Sequence, residues 1–271
     1  MNTGHRVSHD RHHGYRKPVR GDLPTRCGMS DSSDRVAVVT GGGSGIGRQT
    51  ALTLARTMRV AVCDLDGEAA ERTAAVIRDS GGRAQAHQFD VADADEVARE
   101  IGAAGAHFGR IDVAVASGGY QDFLGIRDIK SEQWDRMLAV HARGAFNVAQ
   151  SCIDFMAAHH YGRIVLVSSM AATGGTSPHY SAAKAAMIGF AKSLCREVGP
   201  LGITANVVAP GAIDTPMLAA ATEAIRARAA GNPMGRMGTA EEVADAIEFL
   251  ASERAGFITG AVLHINGGAH T

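Results

Sequence analysis

Thr40-Gly-Gly-Gly-Ser-Gly-Ile-Gly47 decides the fold, because it joins an apolar run, Val36-Ala-Val-Val-Thr40, to a segment of helical character that begins near Gly45. A strand that ends in several glycines and turns directly into a helix lets a ligand approach the backbone closely. It also directs the free N–H groups of the helix at an anion. We interpret the octet as a cradle for the pyrophosphate of a cofactor; a glycine-rich surface turn that binds nothing is the alternative.

The spacing of the glycines distinguishes between cofactor motifs. The fingerprint G-x-G-x-x-G cannot be placed on this octet in any register. A P-loop comes close between Gly42 and Gly47, but Arg48-Gln49 replaces the lysine and the hydroxyl residue that bind the terminal phosphate and magnesium, which argues against nucleotide hydrolysis. The pattern that fits is T-G-x-x-x-G-x-G, and it resembles the short-chain dehydrogenase/reductase family.

Composition and charge restrict the range of functions. The chain has 271 residues and a formal net charge of −1, so nothing global favours nucleic acid or an anionic membrane as a partner. No apolar run reaches the length of a membrane span. The four cysteines, Cys27, Cys63, Cys152 and Cys195, are far apart and lack metal-ligand spacing. They favour reduced thiols in a cytoplasmic protein without a metal site.

Residues 1–28 differ from the rest of the chain, with four histidines, six Arg or Lys residues and two Asp residues. We predict that they form a disordered, basic, His-rich N-terminal extension, followed by one domain over residues 29–271. A metal-binding role of the histidines is an alternative, in which removal of the extension would change function. A secretory signal is not expected, because the extension has no apolar segment.

From residue 35 onward, short β-branched runs alternate with longer Ala-rich amphipathic stretches, which is typical of consecutive βαβ units. The predicted strands span residues 35–40, 59–64, 83–89, 111–116, 162–168, 203–209 and 261–265. Helices are predicted over residues 45–57, 67–80, 93–108, 131–160 (one piece or two), 178–199 and 239–251. The predicted fold class is α/β: a single-domain, Rossmann-type, doubly wound, seven-stranded parallel sheet flanked by helices, with ligands at the carboxyl ends of the strands.

The second predicted strand ends at Asp64, 17 residues after Gly47, close to where such folds bind the adenosine ribose. Asp64 would accept hydrogen bonds from both ribose hydroxyls and would repel a 2′-phosphate. The resemblance adds position 44, where NADP-preferring relatives often carry Arg or Lys and this chain has Ser. We therefore predict NAD as the cofactor, with NADP less favoured. A turn residue at the strand end is the alternative role of Asp64.

Tyr180-Ser-Ala-Ala-Lys184 follows the fifth predicted strand, which ends in the hydroxyl pair Ser168-Ser169. Positions i and i+4 share one helical face, so we expect the ammonium of Lys184 near the phenol of Tyr180. An adjacent cation lowers the pKa of a tyrosine and makes it a usable acid and base. An ordinary amphipathic helix is the alternative, which the glycine turn and the paired serines make unfavourable.

The resemblance implies roles for these residues. Ser169 would hydrogen-bond the substrate oxygen, Tyr180 would exchange its proton with that oxygen, and Lys184 would both adjust Tyr180 and bind the nicotinamide ribose. Hydride would then move between the substrate carbon and the nicotinamide ring. Ser169 precedes Tyr180 by 11 residues, a slightly shorter connection than the family usually has, so Ser168 is the alternative in its role.

His141 is the largest departure from the family pattern, because it occupies the position of a catalytic Asn in the segment from Trp134 to Phe146. In the family that residue acts mainly through its main-chain carbonyl, which holds a water in a proton relay with the lysine. A histidine offers the same carbonyl. The alternatives are a new acid/base role of the imidazole and plain packing.

Further cofactor contacts follow from the same resemblance. Asp90-Val91 is similar to the family's pair beside the adenine, and Ala116-Ser-Gly-Gly119 stands where the family usually has N-N-A-G, so a bracing Asn is missing. The loop Ala209-Pro-Gly-Ala-Ile-Asp-Thr215 resembles the one that contacts the carboxamide. The predicted cofactor-binding set is Thr40, Gly41, Gly43, Ser44, Gly45, Ile46, Gly47, Asp64, Asp90, Val91, Ser117, Gly118, Tyr180, Lys184, Pro210, Gly211, Ile213 and Thr215.

These features indicate an NAD(H)-dependent oxidoreductase that interconverts a secondary alcohol and a ketone. The resemblance is strongest to the 3-oxoacyl-acyl-carrier-protein reductase-like branch, which implies a ketoreductase that forms a homotetramer. A catabolic alcohol, sugar or dihydrodiol dehydrogenase is the alternative, and Asp64 favours it mildly because biosynthetic reductases tend to use NADPH. A second alternative, motivated by Ala116 and His141, is an NAD-binding sensor or scaffold without turnover.

Overall fold

Seven parallel strands form one sheet in the order β3-β2-β1-β4-β5-β6-β7. This computed structural model describes residues 34–175, 177–219, 223, 227 and 231–269, so the predicted extension of residues 1–28 and Cys27 lie outside the described residues. The strands are β1 (Val36–Thr40), β2 (Arg59–Asp64), β3 (Ala84–Gln88), β4 (Val113–Ala116), β5 (Gly162–Val167), β6 (Ile203–Pro210) and β7 (Val262–Ile265). The predicted doubly wound α/β sheet is confirmed.

The helices alternate with the strands as predicted. They are α1 (Gly45–Leu54), α2 (Gly67–Asp79), α3 (Ala94–Phe108), α4 (Ser131–Leu138), α5 (Gly144–Ala158), α6 (Pro178–Val198), the short α7 (Pro216–Ala219) and α8 (Ala240–Ala251). The predicted helix over 131–160 consists of α4 and α5, joined by a π-helical turn at Ala139–Arg143.

Small differences from the predicted bounds have local causes. Helix α1 ends at Leu54 rather than at residue 57, because the N–H groups of Arg56 and Thr57 bond to carbonyls three residues back and close a tighter turn. Helix α3 begins at Ala94 rather than at residue 93, because Asp93 is its N-cap and the Asp93 carboxylate accepts from the N–H groups of Asp95 and Glu96. Such differences do not move the strand ends that carry the site.

Each face of the sheet packs against its own layer of helices, because side chains alternate along every strand. On β1, Val38 points to the layer of α3, α5 and α6, whereas Ala37 and Val39 point to the layer of α1, α2 and α8. All five residues of β1 are buried. Since β1 pairs with β2 on one side and with β4 on the other, the chain changes direction between β1 and β4, and a crevice opens there at the carboxyl ends.

The amino ends of the strands are closed by charged and aromatic side chains. The guanidinium carbon of Arg35 lies 4.0 Å and that of Arg163 4.2 Å from the ring centroid of Tyr161, so the phenol is stacked against two cations. Both arginines are 5% exposed. Nearby, the fully buried Asp112 carboxylate accepts from the Val36 N–H at 2.9 Å and from Arg110. These contacts hold the strands together at the end opposite the crevice.

Two further expectations concern cysteines and membranes. Cys63, Cys152 and Cys195 are free thiols, as expected. Burial raises the pKa of the Cys152 thiol to about 12. Across the described ranges, no helix combines the length and the apolar character that a membrane crossing requires.

Two glycines of α3 provide a matched test of the packing. A Cβ at Gly105 would lie 2.4 Å from Cζ of Phe155 on α5, whereas nothing lies within 4 Å of a Cβ at Gly102. We predict that Gly105→Ala lowers the free energy of unfolding by about 1–3 kcal/mol through overpacking. Gly102→Ala should raise it by about 0.5–1 kcal/mol, because alanine loses less backbone entropy in a helix. Urea denaturation of the two variants would measure both, and destabilisation by both would contradict this packing.

Candidate active site

The turn between β1 and α1 lies at the crevice and requires glycine for steric reasons. Gly41 has a φ of +67°, and a Cβ there would lie 2.9 Å from Cα of Gly118. A Cβ at Gly47 would lie 2.1 Å from the carbonyl oxygen of Gly41. Helix α1 begins at Gly45, and its N-cap Ser44 makes no side-chain capping bond. The free N–H groups of this helix start can therefore bind an anion, as the cradle interpretation expects.

Thr40 holds the turn against the end of β4. Its Oγ1 accepts from the N–H groups of Ser117 and Gly118 at 3.2 and 3.3 Å and donates to the carbonyl of Val115 at 3.4 Å. One buried hydroxyl thus fixes the backbone on both sides of the crevice. The glycines after β4 retain the close approach that was expected, although the bracing Asn of the family is absent.

The Asp64 carboxylate faces the same turn. Its Oδ2 accepts from the Gly43 N–H at 2.8 Å, and its Oδ1 accepts from the Asp66 N–H at 3.0 Å. Both oxygens are thereby oriented at the carboxyl end of β2, beside the cradle. A carboxylate fixed in this way can accept from the two neighbouring hydroxyls of a ribose.

Asp90 and Val91 are held by two residues that the sequence reasoning missed. Arg136 of α4 donates to Asp90 Oδ2 at 2.8 Å, and Asn147 of α5 donates to the Val91 carbonyl at 2.9 Å. Arg136 also lines the cavity described below. Neither residue has a recognisable spacing relative to the strand ends, so no sequence signal identified them.

Almost all predicted site residues meet in one cavity of about 370 Å³. Its lining includes Gly41, Ser44, Gly45, Ile46, Gly47, Asp64, Asp90, Val91, Ser117, Gly118, His141, Ser169, Tyr180, Lys184, Pro210, Gly211, Ile213 and Thr215. Thr40 and Gly43 stand behind this lining, where they hold Gly118 and Asp64 through the hydrogen bonds above.

Ser169 and Ser168 have different surroundings. The Ser168 hydroxyl is buried and donates to the main-chain carbonyl of Lys184 at 2.8 Å, so it links β5 to α6. Both serines line the cavity, but Ser169 is the less buried of the two, and its Oγ accepts from the Ala171 N–H at 3.1 Å, which leaves its own O–H free of the contact that engages Ser168. This arrangement favours Ser169 over Ser168 as the residue that faces a substrate.

The electrostatics of Tyr180 differ from the sequence expectation. Burial raises the pKa of Tyr180 to about 12, and a hydrogen bond with Ser169 opposes this increase only in part. Burial also lowers the pKa of Lys184 to about 7. Lys184 Nζ donates to the Val167 carbonyl at 2.8 Å and lies 5.6 Å from the Tyr180 ring centroid. The expectation that Lys184 lowers the pKa of Tyr180 is therefore wrong for the free protein, because burial disfavours both charged forms.

His141 lies in the π-helical turn and is buried against the site. Its Nε2–H donates to the Tyr120 carbonyl at 2.8 Å, and its ring meets that of Tyr180 edge-on with centroids 5.4 Å apart. Burial and the charge of Lys184 hold the pKa of His141 well below its usual range. Its main-chain carbonyl accepts from the Gly144 N–H. These contacts favour a neutral packing residue over an acid/base, and the carbonyl-relay role stays a prediction.

Known proteins resemble the chain over most of its length. The sequence profile of a family described as Enoyl-(Acyl carrier protein) reductase matches residues 41–270. The chain is 39% identical to cis-4-hydroxycyclohexanecarboxylate dehydrogenase of Sinomonas cyclohexanicum, over 87% of this chain and 96% of that protein. It is 38% identical to the 3-oxoacyl-[acyl-carrier-protein] reductase FabG of Escherichia coli (strain K12), over 87% of this chain and 97% of that protein. The crystal structure of levodione reductase superposes on this chain with a TM-score of 0.83 and 29% sequence identity, over 87% of this chain and 97% of that one.

The fold and these matches define the class of protein as an α/β oxidoreductase. Within that class, the chain belongs to the short-chain dehydrogenase/reductase family and is 3-oxoacyl-acyl-carrier-protein reductase-like. Members of the family are enzymes that act on CH–OH and keto groups with NAD(P). The resemblance drawn from the sequence is confirmed at this level.

The burial of Lys184 predicts how stability depends on pH. Its pKa is about 7 in the folded protein and 10.5 ordinarily. Between these values the unfolded chain binds more protons, so the free energy of unfolding rises with pH. Lys184→Met removes this titration and leaves other groups in place. We predict that the melting temperature of the wild type, relative to Lys184→Met, rises from about pH 7 towards pH 10.

A second variant controls for the loss of one positive charge. Lys192→Met removes an exposed lysine from the same helix. Differential scanning fluorimetry across this pH range compares all three proteins. A wild-type advantage over Lys184→Met that is constant with pH would contradict the buried, neutralised Lys184.

Proposed function

We propose that the protein is an NAD(H)-dependent oxidoreductase that interconverts a secondary alcohol and a ketone, with Tyr180 as the general acid and base. The observation that carries this proposal is that Ser169, Tyr180 and Lys184 line the same cavity as the glycine turn and Asp64. An acid/base set and a dinucleotide cradle in one cavity are what hydride transfer to a carbonyl requires.

The residues of the chain divide the work in the proposed reaction. NAD(H), when bound, supplies or takes up the hydride. In the direction of reduction, the Tyr180 hydroxyl donates its proton to the substrate oxygen, and Ser169 donates a hydrogen bond to that same oxygen. Lys184 would hold the nicotinamide ribose through the Nζ that donates to Val167 in the free protein. Reduction thus ends with a neutral alcohol and a Tyr180 that must be reprotonated.

The pKa of Tyr180 determines which form of the phenol is present at neutral pH. With a pKa of about 12, Tyr180 is protonated at neutral pH, which is the form that donates. Alcohol oxidation needs the phenolate and should increase with pH. The 3-oxoacyl reductase FabG and the hydroxycyclohexanecarboxylate dehydrogenase are similar to the chain to almost the same degree, so a ketoreductase is proposed and a catabolic dehydrogenase stays the alternative.

The preference for NAD over NADP rests on Asp64. Its two oxygens are already oriented by the N–H groups of Gly43 and Asp66. A 2′-phosphate at this position would meet a carboxylate, and Ser44 supplies no cation to offset it. Because the FabG relatives belong to a branch that tends to use NADPH, this preference distinguishes the chain from them and needs its own test.

The homotetramer and the cytoplasmic location also remain proposals. An exposed sheet edge supports the first of them, because β7 is the last strand of the sheet and Leu263 on it is 38% exposed. Phe257, just before this strand, is fully exposed. Association with a second copy would cover these apolar side chains.

Asp64→Ala tests the cofactor preference. The variant loses hydrogen bonds to the ribose hydroxyls and a repulsive charge, so we predict that the Kd of NADH rises about tenfold or more. The preference for NADH over NADPH should fall as well. The fluorescence of Trp134, the single tryptophan, is titrated with NADH and with NADPH to measure the Kd of each. Asp66→Ala is the control, because Asp66 caps α2 through the Ala69 N–H and should affect stability only. An unchanged NADH/NADPH ratio in Asp64→Ala would reject the assignment.

Tyr180→Phe tests the acid/base role. We predict that kcat falls by about 100-fold to 10,000-fold, because proton transfer loses its donor, while the Kd of NADH changes little. The assay is NADH oxidation with ketones, β-ketoacyl thioesters and enoyl thioesters, and NAD reduction with secondary alcohols. Tyr161→Phe is the control, since its hydroxyl donates to the Ala251 carbonyl at the opposite end of the strands. Turnover by Tyr180→Phe at the wild-type rate would contradict the mechanism. If the wild-type protein binds NADH but turns over none of these substrates, the sensor alternative is favoured.

A further inference from the structure

A second buried histidine, His179, directly precedes Tyr180 and has no part in the mechanism above. It is 0% exposed, and its Nε2 lies 3.0 Å from the carboxylate of Asp122. Asp122 belongs to the β4 loop, which we define as residues 117–124. The pair therefore connects this loop to the first turn of α6, the helix that carries Tyr180 and Lys184.

The β4 loop is also held from a second helical segment. His141 of the π-helical turn donates to the Tyr120 carbonyl at 2.8 Å and stacks on the Tyr120 ring with centroids 5.9 Å apart. The His141 ring in turn contacts Tyr180 edge-on. His141 thus holds position 120 of the loop and His179 holds position 122. His141 contacts Tyr180 in space, and His179 precedes it in the sequence.

Two residues in this part of the loop face the cavity. Tyr120 and Gln121 line it together with Ser169, Tyr180 and Met217. Tyr120 packs on His141, whose ring in turn meets that of the candidate acid/base Tyr180. The wall that a substrate would touch is therefore the part of the loop that the histidines hold.

Stability alone is a weak reason for this pair. Removing a carboxylate and an imidazole from water costs free energy that their mutual hydrogen bond repays only in part. Among the described residues, His179 Nδ1 is buried and has no hydrogen-bond partner. The same chemistry occurs in the His87–Glu100 pair at 3.1 Å between β3 and α3, where His87 Nε2 likewise lacks a partner. That second pair is remote from the catalytic side chains and offers a matched comparison.

We propose that His179 is a positioning residue, which through Asp122 fixes the β4 loop as the substrate-side wall of the cavity. It touches neither the cofactor cradle nor the reacting atoms. Its loss should release Tyr120 and Gln121 from the positions in which they meet a substrate, while the glycine turn and Asp64 stay as they are. The catalytic part of this inference rests on the proposed function.

The first test does not require activity. Hydrogen exchange of the amides at residues 120–124 is measured in the full-length protein without added ligands. Asp122→Ala, at a carboxylate that is 23% exposed, should increase this exchange about tenfold or more, because one of the two histidine contacts that hold the loop is lost. Asp122→Asn, which keeps an acceptor for His179 Nε2–H, should retain most of the protection. Exchange that is unchanged in Asp122→Ala overturns the proposal.

The second test uses the substrate that the wild type turns over. Asp122→Ala and His179→Leu should each raise KM about tenfold and change the Kd of NADH less than twofold. His179→Gln, whose amide can donate to Asp122, should restore most of the lost KM. The double variant Asp122→Ala/His179→Leu should be no worse than either single variant, because the two side chains act as one pair.

The remote pair supplies the control. His87→Leu removes a buried histidine that is 6% exposed and leaves Glu100 unpaired, so it should cost similar stability without a change in KM. An equal effect of His87→Leu and His179→Leu on KM would mean a general loss of packing and would overturn the proposal. Wild-type protein that turns over no substrate would count against the proposed function, whereas the exchange experiment would still decide the role of the pair.

Discussion

The approach of the β1–α1 turn to the end of β4 is the constraint on which the rest of the site depends. The two backbones meet at Gly41 and Gly118, where there is no room for a side chain on Gly41, and the Thr40 hydroxyl bonds across the gap. This contact lies where the sheet changes its winding direction. The strand ends at the cavity are placed relative to it, because β2 and β4 pair with β1 directly, and β5 and β6 are held in register with β1 through the strands between them.

Burial determines the protonation of the candidate catalytic residues more than their charges do. Tyr180 and Lys184 are both nearly inaccessible, and removal from water shifts their pKa values in opposite directions, towards neutral phenol and neutral amine. His141, in contact with Tyr180, is neutral for the same reason. Burial thus favours the uncharged forms of Tyr180, Lys184 and His141 near the end of β5, whereas the Asp64 carboxylate lies at the end of β2.

The fold was predictable because each strand and helix has a local pattern that agrees with the sheet. Asp64, Ser169, Tyr180 and Lys184 were predictable because strand ends and the i, i+4 spacing of a helix place them in the crevice. Contacts between residues distant in sequence were not predictable. Arg136 with Asp90, and Asp122 with His179, depend on how helices pack over the loops, and no spacing encodes that. The direction in which the pKa of Tyr180 shifts was predicted wrongly, because the spacing of residues in a sequence indicates which side chains are neighbours but not how deeply they are buried.

The Arg35–Tyr161–Arg163 stack lies at the amino ends of the strands, opposite to the loops that form the cavity. Side-chain contacts thus hold the strands together at their amino ends, while the loops at their carboxyl ends form the cavity. This separation makes the chain suitable for loop grafting. Residues 119–130 and 170–177 could be exchanged for those of a relative with another substrate without disturbing the stacked arginines. Because Tyr120 and Asp122 are the partners of the buried His141 and His179, such chimeras would have to exchange the two histidines together with the loop or keep positions 120 and 122.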